Sequence, residues 1–184
     1  MRGGWLAAVL VVAALLPAAC GEGQEAKVPK PQEPTTKTIG YICNMSLAEH
    51  AGPKGQIFLK GETTPLWFSS VRDAFTFTYL EGATHTYAAF YVTDMGRASW
   101  DKPEPGTWTD ARKAVYVIGS TRAGGMGATE LIPFAERPPA EAFAQRNGGR
   151  VVTFAEIPAG YVFSGKDCGR DSCGEGEQKR TGEE

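Results

Sequence analysis

The stretch Ile42-Cys43-Asn44-Met45-Ser46-Leu47-Ala48-Glu49-His50 places a thiol, a thioether and an imidazole within eight residues, in the pattern C-x-M-x4-H. Thioethers bind hard cations and zinc poorly, whereas cysteine and methionine together select Cu(I). Zinc is the second choice. Calcium or magnesium would need clustered carboxylates, and Glu49 is the only acid inside the motif. If Tyr41–Ser46 is extended, Cys43 and Met45 project to one side, because strand side chains alternate with a period of two. His50 then has to return on the next turn, which Gly52 and Pro53 favour. Each of these side chains alone reads better as core or surface; the coincidence of all three points to a metal site.

Two further methionines lie far along the chain. Met126, in Gly124-Gly125-Met126-Gly127, has little apolar neighbourhood to pack against and is the fourth candidate ligand, whereas Met95 follows a strand-like run and reads as packing. His85, between Thr84 and Thr86, reads as a solvated loop residue. A catalytic pairing of Cys43 with His50 lacks an orienting partner or oxyanion-hole motif, so no enzymatic activity is assigned. The glycine run around Met126 lacks the Lys-Ser/Thr ending of a phosphate loop.

The chemistry sits in an exported chain. Arg2 followed by an unbroken apolar run from Trp5 to Leu16 has the build of a secretory signal peptide and is too short to span a bilayer, which takes roughly 20 residues. It ends in Pro17-Ala18-Ala19-Cys20, which resembles a bacterial lipobox; that resemblance implies that residues 1–19 are removed and that Cys20 carries lipid as the mature N-terminus. Gly21 in place of an Asp retention signal points to the outer rather than the inner membrane. Residues 20–37 are rich in proline and charge and read as a flexible tether, with a reach on the order of 50 Å if extended. The tail, 165–184, is Gly-rich and charged; its Cys168 and Cys173 are spaced to pair in an oxidising compartment, leaving Cys43 as the odd thiol. A free cysteine in an exported protein calls for metal or redox chemistry.

The whole chain has 184 residues, 42% hydrophobic, with 19 basic and 21 acidic side chains, which suits one compact domain or two very small ones. Loss of residues 1–19 removes only Arg2 and makes the mature chain one charge more negative than −2. No basic surface is concentrated for nucleic acid. Within residues 38–164 the periodicity predicts an α+β fold of two similar β-β-α-β units, set at 38–100 and 101–164. The first has strands at Gln56–Lys60 and Pro65–Ser69, a helix capped by Ser70 that runs to Gly82, and a strand at Tyr87–Thr93. The second has strands at Ala114–Ser120 and Glu130–Phe134, a helix from Pro138 to Asn147 stopped by Gly148 and Gly149, and a strand at Arg150–Ile157. Phe68 matches Phe134 in this scheme, and Phe75 is set against Phe143.

The lipobox, Cys43-x-Met45-x4-His50, Pro65–Asp73, Tyr91–Arg97, Pro105–Lys113 and Gly124–Ala128 together resemble the NosL family, accessory lipoproteins of nitrous oxide reductase. The tail cysteines fall outside that pattern. The resemblance implies a Cu(I) chaperone that supplies copper for the copper-sulfide centre of the reductase. Its expected partners are the apo-reductase, a NosDFY-type membrane ABC transporter and, through Cys20, the bilayer. Two other readings fit the residue inventory less well. A blue-copper carrier using Cys43, His50, His85 and a methionine has its ligands in the wrong order and at the wrong end, and a metal-free structural lipoprotein leaves the motif unexplained. Mass spectrometry of membrane-extracted protein is expected to find Cys20 as a lipidated N-terminal residue; an unmodified Cys20 or a retained leader would overturn the export reading.

Overall fold

The computed structural model describes residues 28–80 and 87–164. Cys20, His85, Cys168 and Cys173 lie outside the described residues. Among the described residues ten α-helices and β-strands follow one another: β1 (Gly55–Leu59), β2 (Leu66–Phe68), α1 (Val71–Tyr79), β3 (Tyr87–Thr93), β4 (Trp108–Asp110), β5 (Val115–Ile118), β6 (Ile132–Phe134), α2 (Arg137–Asn147), β7 (Arg150–Thr153) and α3 (Ala159–Ser164). The strands make two antiparallel sheets, ordered β2-β1-β3-β4 and β6-β5-β7.

The repeat is visible in the pairing register. Gly55 faces Phe68 as Val115 faces Phe134, and each helix begins three residues after that phenylalanine. Carrying the register onward corrects one expectation: the counterpart of Phe143 is Phe77, nine residues past Phe68, and not Phe75. The Phe68–Phe77 and Phe134–Phe143 rings stand 5.6 and 5.5 Å apart, and Ala74 and Ala140 occupy matching, fully buried positions. Three other features depart from the sequence reading. Beyond Thr153 the chain turns into a short 3-10 segment, because Thr153 and Glu156 cap one another's backbone there. The segment joining the units contributes β4, which pairs with β3 of the first sheet although it lies past residue 100. The first helix ends at Tyr79.

Packing explains why neither unit stands alone. Along β5, Tyr116 and Ile118 face a core shared with the first unit, while Val115 and Val117 face α2, so the second sheet is covered on both sides. Phe75 of α1 meets Phe90 of the first sheet and Tyr116 of the second, each at 5.3 Å, which puts the first helix between the two sheets. The outer face of the first sheet is covered by chain assigned above to a tether. Residues 28–36 are strapped there instead: Gln32 exchanges backbone hydrogen bonds with the side-chain amide of the fully buried Gln56, Tyr91 donates to Pro29 O, and the Glu33 carboxylate accepts from Gly106 N–H and the Trp108 indole.

Asp94 ties the second sheet to the loop after β3. Buried to 3% exposure, it accepts from Gly96 N–H and Ala135 N–H and pairs with Arg97 at 2.9 Å, while Met95 N–H donates to Pro133 O. Asp94→Ala leaves these amide donors without their acceptor, and is expected to cost about 3 kcal/mol. Calorimetry should find wild type and variant each unfolding in one transition, since the units share a core; two separate transitions would contradict that packing.

Candidate metal site

The loop carrying the thiol is a tight reversal, not a strand. Ile39 pairs with Ser46, Gly40 N–H donates to Met45 O, Asn44 N–H donates to Gly40 O, and Asn44 adopts a positive φ of 54°. Cys43 and Met45 therefore do not share a face through strand alternation. The reversal is fastened to the sheet by Tyr41, whose N–H donates to Trp67 O and whose ring meets the edges of Phe68 and Phe77. Cys43 is half-buried, a free thiol with Sγ 2.9 Å from Ser69 Oγ just past β2. Gly40 makes room for it: a Cβ there would lie 2.6 Å from that sulfur.

After Ser46 the chain enters a 3-10 turn, Leu47–Glu49, anchored by the buried Leu47. His50 follows, and its Nε2 is buried without a hydrogen-bond partner, the only such side-chain atom among the described residues. Buried ring nitrogens are normally paired, and this unpaired Nε2 is the feature that makes His50 a candidate metal ligand. The expected reversal at Gly52 is present, with φ 81°.

The second unit comes to this turn through its glycine loop. Gly127 N–H donates to Gly124 O, Gly124 N–H donates to Ala128 O, and a Cβ on Gly125 would lie 2.3 Å from Ala51 O and 2.9 Å from the His50 Cβ. Only glycine permits that approach, and it sets Met126 one residue from the contact. Met45 and Met126 are exposed, 41% and 39%, whereas Met95 packs into the second unit's core as its sequence context suggested. Among the described residues no three His, Cys, Asp or Glu side chains converge; the candidate donors carried by the reversal, the turn and the glycine loop are one thiol, two thioethers and an imidazole, which are soft or borderline.

Two buried charges behind the site escaped the sequence reading. Lys54 is 5% exposed, and its ammonium donates to Ala51 O at 3.0 Å and Gly52 O at 2.8 Å. Burial pushes it down to about 8, against the attraction of Glu130 and Cys43. Glu130, 2% exposed, accepts from Ser70 O–H, Arg72 N–H and Leu131 N–H. Burial pushes it up to about 7 despite those bonds, with Asp73 adding to the rise. Each stands at the head of an apolar run, where one charged residue looks like strand-edge polarity; only the three-dimensional pairing exposes its role. A cleft of about 210 Å³ is lined by His50 and Lys54 with Leu47, Pro34, Pro103 and Trp108.

Comparison with known proteins identifies the family. A family model described as NosL matches residues 31–162. A protein of Achromobacter cycloclastes described as copper-binding lipoprotein NosL is 45% identical over 166 residues, 89% of this chain and 86% of its own length. One of the same description from Stutzerimonas stutzeri is 37% identical over 157 residues, 84% of this chain and 79% of its own. In structure, the chain resembles a crystal structure described as the copper chaperone NosL from Shewanella denitrificans, with TM-score 0.67 and 32% identity, covering 71% of this chain and 96% of that one.

The buried charges predict an unusual pH profile for the metal-free protein. Glu130, raised from 4.5 to about 7, binds its proton more tightly when folded, so its contribution to stability falls as pH rises from 4.5 to 7. Lys54, lowered from 10.5 to about 8, holds its proton less tightly when folded, so stability is regained between 8 and 10.5. Thermal unfolding across this range should show a trough between pH 7 and 8, and Glu130→Gln should remove its acid-side slope. A flat profile in the wild type would refute both shifts.

Proposed function

The chain belongs to the NosL family, and from that premise we propose that it is a lipid-anchored, periplasm-facing Cu(I) chaperone that supplies copper for the copper-sulfide centre of nitrous oxide reductase. The observation that carries the reading is the orphaned, buried Nε2 of His50 on a turn flanked by the Cys43 reversal and the Met126 loop. Cu(I) is the cargo that suits these donors. Cys43 anchors it as thiolate, His50 supplies the nitrogen, and the exposed sulfurs of Met45 and Met126 complete or relay it. No reaction is catalysed.

Release follows from the same arrangement. Thioethers are weak donors, and both stand in solvent, so an incoming thiolate or imidazole of a recipient can displace them before the Cys43 bond breaks. Around them Tyr41 and Ile42 are also exposed, an apolar margin suited to docking on a partner. The partners proposed are a NosDFY-type membrane transporter and the apo-reductase. The anchor is Cys20, in the outer membrane.

Anaerobic titration of the soluble chain with Cu(I) against a colorimetric chelator should give one colourless, tightly held equivalent. Cys43→Ser should abolish tight binding, while Met45→Leu, His50→Ala and Met126→Leu each weaken it less. In cells, Cys43→Ser should reproduce a deletion: exported reductase poor in its copper-sulfide centre, with nitrous oxide accumulating at limiting copper. Unchanged affinity in Cys43→Ser would sink the site, and full nitrous oxide reduction by that strain would sink the delivery role.

A further inference from the structure

Two candidate ligands sit on separate pieces of backbone, the His50 turn and the Met126 loop, and neither is part of a regular element. Each is supported from behind by one buried ionisable side chain. Lys54 is itself fixed at the head of β1, opposite the end of β3, its N–H donating to Thr93 Oγ1 and its carbonyl accepting from Thr93 N–H, each at 3.0 Å. From that footing its ammonium grips the carbonyls of Ala51 and Gly52, the two residues directly after His50. Gly52 N–H in turn donates to Trp100 O, and Gly125 lies on Ala51, so the turn is held on three sides.

Glu130 does the corresponding work for the other loop. Its carboxylate is bound at the start of α1 by Ser70 and Arg72, and Oε2 lies 2.8 Å from where a Gly124 side chain would begin. The glycine loop therefore rests on a carboxylate that is fixed to the first unit. Ser70 follows Ser69, the residue hydrogen-bonded to the Cys43 sulfur. The contacts thus run from Cys43 through Ser69, Ser70, Glu130, Gly124, Gly125 and Ala51 to Lys54, linking the segments that carry Cys43, Met126 and His50.

Resting on the copper reading above, we propose that Lys54 and Glu130 are positioning residues of the copper site: Lys54 presents His50, and Glu130 presents Met126. Neither touches the metal. A buried ammonium and a buried carboxylate are costly to fold, and apolar residues in their places would pack more cheaply. What apolar residues cannot do is hold the His50 turn by directed hydrogen bonds, as Lys54 does, or be fixed by hydrogen bonds at the start of α1 in contact with Gly124, as Glu130 is, and ligands held in place bind metal more tightly than ligands that must be ordered on binding.

The test is a pair of double-mutant cycles read by Cu(I) competition titration of the full mature chain in detergent, with unfolding of each metal-free variant followed in parallel. Lys54→Met should weaken Cu(I) binding roughly 10–100-fold, as loss of an outer hydrogen-bond partner does at other metal sites. In a His50→Ala background it should have almost no further effect, because Lys54 acts through His50. Glu130→Leu should behave in the same way toward Met126→Leu, and Glu130→Gln, which keeps the acceptor, should restore most of the affinity. A Lys54→Met chain that loses cooperative unfolding is replaced by Lys54→Gln, which retains a donor for one carbonyl and should give the same non-additivity. Full additivity in both cycles, or wild-type affinity in folded Lys54 and Glu130 variants, would overturn the proposal. If instead the wild type holds no Cu(I) through Cys43, it is the copper reading itself that has failed.

Discussion

The contact of Gly125 with the backbone of Ala51 is the constraint on which the site depends. The residues that read as ligands come from chain segments more than seventy positions apart, and at this point the second unit's loop meets the turn that carries His50. A methyl group at Gly125 would have to occupy space held by Ala51 O, so the loop would lift and take Met126 with it. Much of the rest of the molecule can be understood as keeping this approach possible. Trp100 receives a hydrogen bond from Gly52 and stacks on Phe143 of α2, while Arg122, at the root of the glycine loop, lies over the Trp100 ring at 4.5 Å. One tryptophan thus joins the His50 turn, the second helix and the loop.

The duplicated topology supplies the rigidity behind that contact. Two β-β-α-β units could be joined as beads, leaving their loops free to drift. Here the first unit's helix is enclosed between the two sheets, and Phe75 bears on both, so the units cannot separate without exposing the largest part of the core. The second sheet carries apolar residues on both faces for the same reason. The strap at residues 28–36 closes the remaining open face of the first sheet with specific hydrogen bonds to the buried Gln56 of β1, two residues past Lys54.

What could be read from the sequence was local and periodic. The strand and helix positions, the Ser70 cap and the Gly148–Gly149 stop follow from side-chain alternation and turn chemistry, and the match of Phe68 with Phe134 emerged from spacing alone. Phe75 was paired with Phe143 because both sit on apolar helix faces, a rule that cannot fix register; only the strand ladder shows that Phe77 is the counterpart. The donor types of the site were legible because soft ligands are rare and clustered. Their support was not. A lysine and a glutamate at strand starts are ordinary in sequence, and a proline-rich segment resembles free linker until a buried glutamine across the sheet is found to bind it.

The site is also asymmetric in a way that bears on direction of transfer. His50 presents a buried nitrogen from a braced turn, and Cys43 a half-buried sulfur hydrogen-bonded to Ser69, whereas both thioethers project into solvent from loops. A metal entering or leaving meets the methionines first and the braced pair last. On the proposed reading, copper approaching from solution is caught by exposed, weakly donating sulfurs and passed inward to donors that are already in position. A recipient would work in the opposite order under that proposal, replacing one exposed thioether at a time while the braced donors keep the ion from being lost. On the proposed reading capture and release share one path, provided the inner donors stay fixed while the outer ones exchange; the buried Lys54 ammonium, bonded to the carbonyls of Ala51 and Gly52, meets that condition for His50.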